Sequence, residues 1–405
     1  MPETIAIIGN GNAAVECIKA LRKNGYDGAV EVFASSNLPV YNPMLTSYYV
    51  SGEIEYPMMF PYGDSNKVFE DHNAVLHAGS AVTRLSAKNR TLTNSDGLCV
   101  NFDKCLISSG ASPFVPHFPG SDCNGIYTMR TIEDAIRLKK VMDNKPRKAL
   151  VVGASMVGIK LVEMFWKIGI EVCLADIAPY IFPLSAHPDC AVVIEERLRE
   201  MGVRLRFSAG IERAEDQPDG SIRAWFGDGG EPENADLLMA CIGVRANVGF
   251  IDQDEIETRQ AVVVDDHMQT NVPGIYAAGD CCMGIDLLSG EHQVIGLLAN
   301  ARSQGRVAGI NMAGGDRAYR GEILHNITHF LGMDFIGIGD VRNYARDEKM
   351  YNGRRFAQFF YDDKGALCGA NFLDSLADCG VVKNALVKSV RQSLLCAPAL
   401  VPDSS

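Results

Sequence analysis

The sequence predicts an α/β protein: two Rossmann-like parallel-sheet units followed by a C-terminal α+β domain. Three observations carry that prediction. A glycine-rich turn, Gly9-Asn10-Gly11-Asn12-Ala13-Ala14, follows the apolar run Ile5–Ile8 and precedes the helically spaced Val15, Ile18 and Leu21. A second turn, Gly153-Ala154-Ser155-Met156-Val157-Gly158, follows Ala149–Val152 and precedes Ile159, Val162 and Phe165. From about Gly321 the pattern changes to short β-like runs such as Phe335–Ile338 and Arg355–Phe360. Strand, glycine turn and helix in that order are the setting of a dinucleotide fingerprint. Glycine lets the backbone approach a pyrophosphate closely, and the helix N-terminus offers it free N–H groups and a positive dipole end. Two such turns predict two nucleotides bound face to face.

The remaining elements follow in order. Gly28–Ala34 reads as the second parallel strand of the first unit, and Asn37–Pro61, rich in Pro, Tyr and Met, as a long functional loop with a short helix. Ala74–Leu92 reads as strands of a small meander, and Lys104–Ala111 as a strand ending in the small-residue turn Ser109-Gly110. Pro113, Pro116 and Pro119 mark a crossing between domains. In the second unit, Glu171–Asp176 is the next strand, Asp189–Met201 a helix, and Ala235–Ile242 a strand that ends at Gly243. Thr270–Asp280 reads as a strand ending on Gly279-Asp280; a long helix is expected over Val294–Ala313 and an amphipathic terminal helix over about Val381–Leu395. The expected domains are 1–112 with 247–320, 113–246, and 321–405.

Bulk properties bound the function. A chain of 405 residues with 47% hydrophobic residues holds two or three globular domains. Its formal net charge of −12 argues against nucleic-acid partners and anionic membranes. Met1-Pro2-Glu3 leads straight into a strand without a basic region, and the apolar stretches are strand-length, so neither a signal peptide nor a membrane span is expected. Twelve cysteines are scattered, with Cys281 and Cys282 adjacent and no Cys-x-x-Cys pair. That spacing suits no metal or iron–sulfur site and predicts reduced, buried thiols in a cytoplasmic protein.

Asp176 carries chemistry of its own. A carboxylate at the end of the second strand of a nucleotide unit accepts hydrogen bonds from the ribose hydroxyls of NAD and repels a 2′-phosphate. Ile177-Ala178-Pro179 supplies no arginine to neutralise one, so NADH is favoured over NADPH. The plainer alternative is a solvated aspartate at a strand end.

These residues together resemble the pyridine nucleotide–disulfide oxidoreductase family of two-dinucleotide-domain flavoproteins, over nearly the whole chain. By that resemblance Gly9, Gly11, Asn12, Ala13 and Ala14 form the FAD pyrophosphate site. Ser109 and Gly110 form the small-residue turn before the crossover, and Gly279-Asp280 the second FAD signature, with the NAD domain inserted between them. Gly153, Ser155, Met156, Val157, Asp176 and Gly243 fall on the NAD(H) side. The resemblance implies hydride transfer between NADH and flavin N5, for which the protein supplies proximity, orientation and a local field.

Departures from the family pattern narrow the chemistry. Tyr48–Glu53 resembles the segment after the reactive cysteine of the coenzyme A disulfide reductase branch, and counting back puts Met44 in the cysteine's place. A thioether cannot act as a thiolate nucleophile, so disulfide reduction is excluded. The loop Leu38–Leu45 also resembles the Pro-Tyr-Asn-Arg loop of rubredoxin and ferredoxin reductases and of the NADH half of nitrite reductase. It further resembles flavin subunits such as the NAD-reducing subunit of phenylglyoxylate dehydrogenase. Here Pro43 replaces the arginine, Tyr48 stands near the lysine position, and Ser35 and Ser36 stand where an acid usually holds the adenosine ribose. Lys160 occupies a position where the family commonly has glutamate; it either faces the flavin and stabilises negative charge there, or is a solvated helical lysine. Tyr41, Asn42, Met44 and Tyr48 would border the exit face. The implied function is an NADH-dependent FAD protein exchanging electrons with an iron–sulfur partner or subunit, as a homodimer or hetero-oligomer. The alternatives are a stand-alone NADH oxidase or small-molecule or quinone reductase, and an FAD-binding redox-sensing module.

Overall fold

The computed structural model describes residues 3–375 and 380–388. Its first sheet is parallel and five-stranded. β1 (Thr4–Ile8) lies at the centre, between β2 (Ala29–Phe33) and β7 (Lys104–Ile107), with β3 (Val75–His77) and β19 (Ile275–Ala277) at the edges. Near-continuous apolar sequence is what a parallel strand covered on both faces requires, and Ile5, Ile7, Val32 and Leu106 are fully buried. Helices α1 (Asn12–Lys23) and α7 (Leu298–Met312) lie against each other. Their closeness depends on glycine: a Cβ at Gly305 would strike the Ala13 carbonyl, and one at Gly309 the Cys17 carbonyl.

Val75–His77 was expected in the meander but joins the parallel sheet. Its pairing with β2 is closed by the His77 ring, stacked on Phe33 at 4.7 Å, and by its Nε2, 2.6 Å from Glu31. The meander itself is β4 (Val82–Ser86), β5 (Thr91–Asn94) and β6 (Cys99–Asn101). The long loop carries α2 (Thr46–Ser51) between two short 3-10 turns, followed by α3 (Lys67–Glu70).

A second parallel sheet repeats the plan, in the order β12 (Arg204–Arg206), β11 (Glu171–Ala175), β10 (Lys148–Val152), β16 (Leu237–Ala240), β9 (Ile126–Tyr127). Its helices are α4 (Ile132–Met142), α5 (Met156–Lys167) and α6 (Pro188–Glu200). An antiparallel flap of β13 (Ile211–Asp216), β14 (Ile222–Phe226) and β15 (Glu233–Ala235) accompanies it. The two chain crossings between the sheets run side by side as β8 (Ala111–Pro113) and β17 (Val244–Ala246). There the Ser109 hydroxyl donates to the Asn247 carbonyl at 2.6 Å, and the Asn247 amide returns a bond to the Ser109 carbonyl at 3.0 Å.

β18 (Val262–Val263), β20 (Cys282–Ile285) and β21 (His292–Gln293) form a small sheet leading into α7. Residues 294–297 follow β21 without helix, so α7 starts at Leu298 rather than at the expected Val294. The C-terminal region is a five-stranded antiparallel sheet of β22 (His325–Phe330), β23 (Met333–Gly339), β26 (Leu367–Leu373), β25 (Arg355–Tyr361) and β24 (Arg346–Asn352), in that order. Residues 380–388 are helical, with Val382 and Leu386 buried against Ile336 and Phe372. The rest of the expected terminal helix lies outside the described residues.

Candidate functional site

The first glycine turn is shaped to leave a helix end open. Gly9 has φ +102°, and a Cβ there would collide with the Ser108 carbonyl, so only glycine sets the turn against the Ser108-Ser109-Gly110 strand end. Gly11 is the N-cap of α1; no side chain caps the helix, and a Cβ on Gly11 would meet nothing within 4 Å. The first N–H groups of α1, from Asn12, Ala13 and Ala14, therefore face an open cradle at the positive end of the helix dipole. Gly279 closes on Ala13 and Ala301, with a Cβ 3.7 and 3.6 Å from their methyl groups, which brings Asp280 alongside.

Charges converge on this cradle. Arg130 pairs with the Asp280 carboxylate, and Arg302 donates to the Asn12 Oδ1 at 3.0 Å, while the Asn12 amide donates to the Tyr41 carbonyl at 3.1 Å. Two guanidiniums and a helix N-terminus thus stand at the turn with the Asp280 carboxylate, a donor set that fits the diphosphate of FAD. Burial pushes the Tyr41 phenol up to about 12, so it stays protonated beside the cleft. Ser35 is exposed at the end of β2. Arg130 escaped the sequence reading because its partner lies 150 positions away. The one local signal was the capping box that follows it, in which Thr131 and Asp134 exchange backbone hydrogen bonds.

The second turn has the same backbone and a different finish. Gly153 has φ +110° against the Cys241 carbonyl, and a Cβ on Gly158 would strike the Gly153 carbonyl. Ser155 caps its own helix: its Oγ accepts from the Gly158 N–H at 3.2 Å and donates to the Cys241 carbonyl at 3.0 Å. Asp176 is bound into the turn, Oδ2 accepting from the Ala154 N–H at 2.6 Å and Oδ1 from the Ala178 N–H at 2.8 Å. Its carboxylate is thereby fixed at the strand end, half-buried, with acceptor capacity left for ribose hydroxyls. Val157 and Ile177 are exposed beside it, Met156 is half-buried, and Gly243 (φ +119°) opens the next strand end.

A third group joins α5 to the long loop. The Lys160 ammonium lies 2.6 Å from Glu163, donates to the His329 carbonyl at 2.7 Å and stands 4.9 Å from the centre of the Tyr48 ring. Glu163 is only 4% exposed and also accepts from the Leu331 N–H at 3.0 Å and from Lys167 at 3.2 Å. Burial alone would raise its carboxyl; the hydrogen bonds from Lys160, Leu331 and Lys167 outweigh that and hold it below the usual range. Lys160 is thus half-buried and engaged in an ion pair with the buried Glu163. Met44 is 65% exposed on the neighbouring 3-10 turn, its N–H fixed by the Asn42 side chain at 3.0 Å.

Other polar and thiol groups near Gly279 are committed internally. Gln304 accepts from the Gly279 N–H at 2.8 Å, and Asn300 is buried against Tyr319. Cys281 and Cys282 are buried, and burial pushes both thiols up.

Two parallel sheets with one glycine turn each, one of them closed by the strand-end carboxylate of Asp176, define a protein built from two dinucleotide-binding units. The sequence matches the pyridine nucleotide-disulphide oxidoreductases over residues 3–305, and the chain belongs to that family of FAD- and NAD(H)-binding flavoproteins. It is 29% identical over 394 residues to the epsilon subunit of NADH-dependent phenylglyoxylate dehydrogenase from Aromatoleum evansii, covering 94% of this chain and 91% of that one. To the NADH-rubredoxin oxidoreductase of Clostridium acetobutylicum it is 24% identical over 380 residues, covering 93% and 91%. Among solved structures, the water-forming NADH oxidase of Lactobacillus brevis superposes with a TM-score of 0.89 at 20% identity, covering 96% of this chain and 91% of that one. Putidaredoxin reductase in covalent complex with putidaredoxin superposes with a TM-score of 0.87 at 20% identity, covering 98% and 99%. No helix among the described residues is long and apolar enough to cross a membrane.

Proposed function

We propose that this NAD(H)-dependent flavoprotein passes electrons between NADH and an iron–sulfur protein or subunit, without a cysteine relay. The observation that carries this reading is Met44. It is exposed, it stands by the family resemblance in the place of the reactive cysteine of disulfide-reducing members, and no cysteine occurs between Cys17 and Cys99. FAD, when bound, supplies the exchange between a two-electron hydride donor and a one-electron acceptor. The chain's own groups do the rest. The open end of α1, with Arg130, Arg302 and Asp280 beside it, holds the FAD diphosphate end. Asp176, fixed by its own turn, orients the NADH ribose. The Lys160–Glu163 pair sets the position of Tyr48 against the nicotinamide side. The loop of Tyr41, Asn42, Met44 and Tyr48 brings no acid–base machinery of its own to the exit face, which suits electron transfer better than proton chemistry on a small substrate.

Names among the relatives support the choice of acceptor. They include rubredoxin reductases and an electron transfer subunit of assimilatory nitrate reductase. A 28%-identical relative from Methanocaldococcus jannaschii bears the name NADH oxidase, which makes direct reduction of oxygen the rival reading. Anaerobic mixing with NADH, followed by separate re-oxidation with air, with rubredoxin and with a [2Fe–2S] ferredoxin, tests the choice. The proposal expects fast bleaching, slow re-oxidation by oxygen and fast re-oxidation by one of the iron proteins. Fast re-oxidation by oxygen alone would establish the oxidase.

A further inference from the structure

We propose that Glu133 supplies the carboxylate that receives the adenosine ribose of FAD, replacing the acid missing from the end of β2. The inference rests on reading the first glycine turn as the FAD site. In a βαβ nucleotide unit the adenosine ribose falls at the carboxyl end of the second strand, where an acidic side chain accepts its hydroxyls. β11 follows this rule with Asp176. β2 breaks it, running into Ala34-Ser35-Ser36-Asn37 without an acid.

The structure brings a carboxylate to that place from another element. Glu133, in the first turn of α4, accepts at Oε1 from the Ser36 hydroxyl at 2.9 Å. The same hydroxyl accepts from the Leu38 N–H at 3.1 Å, and the Leu38 carbonyl accepts from Asn10 of the glycine turn at 3.1 Å. Glu133 is therefore connected to the phosphate-binding turn through two loop residues. A carboxylate offers about four acceptor positions, and one serine hydroxyl fills only one of them. Its partner is a hydroxyl rather than a cation, so its charge stays available to a ligand.

The rest of the segment fits the same role. Three residues earlier, Arg130 pairs with Asp280, the aspartate of the second flavin signature. The Thr131–Asp134 capping box holds the turn between them. The stretch 130–133 thus reaches Asp280 at one end and the tip of β2 at the other, alongside the open N-terminus of α1. One segment would hold both the diphosphate and the adenosine ribose of the dinucleotide.

The test compares flavins that do and do not carry the adenosine ribose. Apoprotein freed of flavin is titrated with FAD and with FMN, and its thermal midpoint is recorded without ligand. Glu133→Gln should weaken FAD about tenfold, the loss expected for one charge-assisted hydrogen bond, while leaving FMN binding and the apoprotein midpoint unchanged. Ser35→Asp added to Glu133→Gln should restore part of the FAD affinity. Unchanged FAD binding in Glu133→Gln would overturn the proposal, as would an equal loss for FMN or a lowered apoprotein midpoint. If the wild-type apoprotein bound no flavin, the FAD reading itself would fall.

Discussion

The two glycine turns share a backbone and differ in how their helix ends are finished. Both start from a glycine at φ above +100° pressed against a neighbouring carbonyl. Beyond that point α1 is left uncapped and its charges arrive from distant segments, Arg130 and Arg302. α5 instead uses one of its own N–H groups, that of Gly158, in a cap by Ser155, and its turn is bonded to Asp176. An uncapped helix end keeps its donors for a ligand, whereas a self-capped one makes the ligand compete with an existing bond. On the proposed function, the uncapped end of α1 suits tight, resident binding and the self-capped end of α5 exchangeable binding. That division suits a flavin that stays and a nicotinamide that comes and goes.

The largest expected effect tests what the turns share. Gly9→Ala and Gly153→Ala each add a Cβ at a positive φ and against a carbonyl. Each should cost about 3 kcal/mol of stability, combining backbone strain and overpacking. Urea unfolding of the two variants measures this; a loss at only one turn would break the claim that the backbones are equivalent. Next in size is Asp176→Ala, which removes the ribose acceptor and leaves two backbone N–H groups without their carboxylate. It should lower kcat/KM for NADH more than tenfold, from about 1.5–3 kcal/mol per charged hydrogen bond, while FAD content stays at the wild-type level. Loss of FAD in that variant would mean that the two turns are not separate sites.

Ser155→Gly sharpens the comparison directly. Glycine at an N-cap costs only a few tenths of a kcal/mol relative to serine, so the fold should survive. The freed Gly158 N–H at the start of α5 should tighten NADH severalfold, read as the dissociation constant by titration of the oxidised protein. Unchanged or weaker NADH binding would remove self-capping as the reason for the second turn's exchangeable character.

How much of this was legible in the sequence follows from the range of each interaction. The parallel strands β1, β2, β7, β10, β11, β16 and β19 and both turns were readable because apolar runs, glycine and helical spacing lie within about ten residues of one another, whereas the two-residue β9 carried no such signal. Val75–His77 was misplaced because an edge strand of three residues is assigned by what it pairs with, here Glu31 and Phe33. Asp280 was readable as part of a motif, but its partner Arg130 was not, since no local pattern announces an ion pair across 150 positions. Lys160 was singled out as a departure from the family, and Glu163 sits at helical spacing from it. The contacts with Tyr48 and the His329 carbonyl come from two other parts of the chain and needed the fold. Glu133 belongs to the same class, a carboxylate delivered to the end of β2 from a helix of the other unit.

The smallest expected effect concerns how the two helices are anchored. α1 is held by close backbone contact with α7, which does not titrate. α5 is held to the long loop and to the C-terminal sheet by the buried Glu163, which does. Its carboxyl is depressed in the folded protein, so it contributes stability that is fully present above the ordinary carboxylate value near 4.5 and is lost as pH falls through the lower folded value. Glu163→Gln should lower the thermal midpoint at pH 7, because Lys160 loses its buried partner, and should narrow its gap to wild type on acidification below about pH 4.5. A gap that stays constant from pH 7 to pH 3 would show that Glu163 contributes packing rather than charge. In that case the Lys160–Tyr48 contact would have to be held by the His329 carbonyl alone.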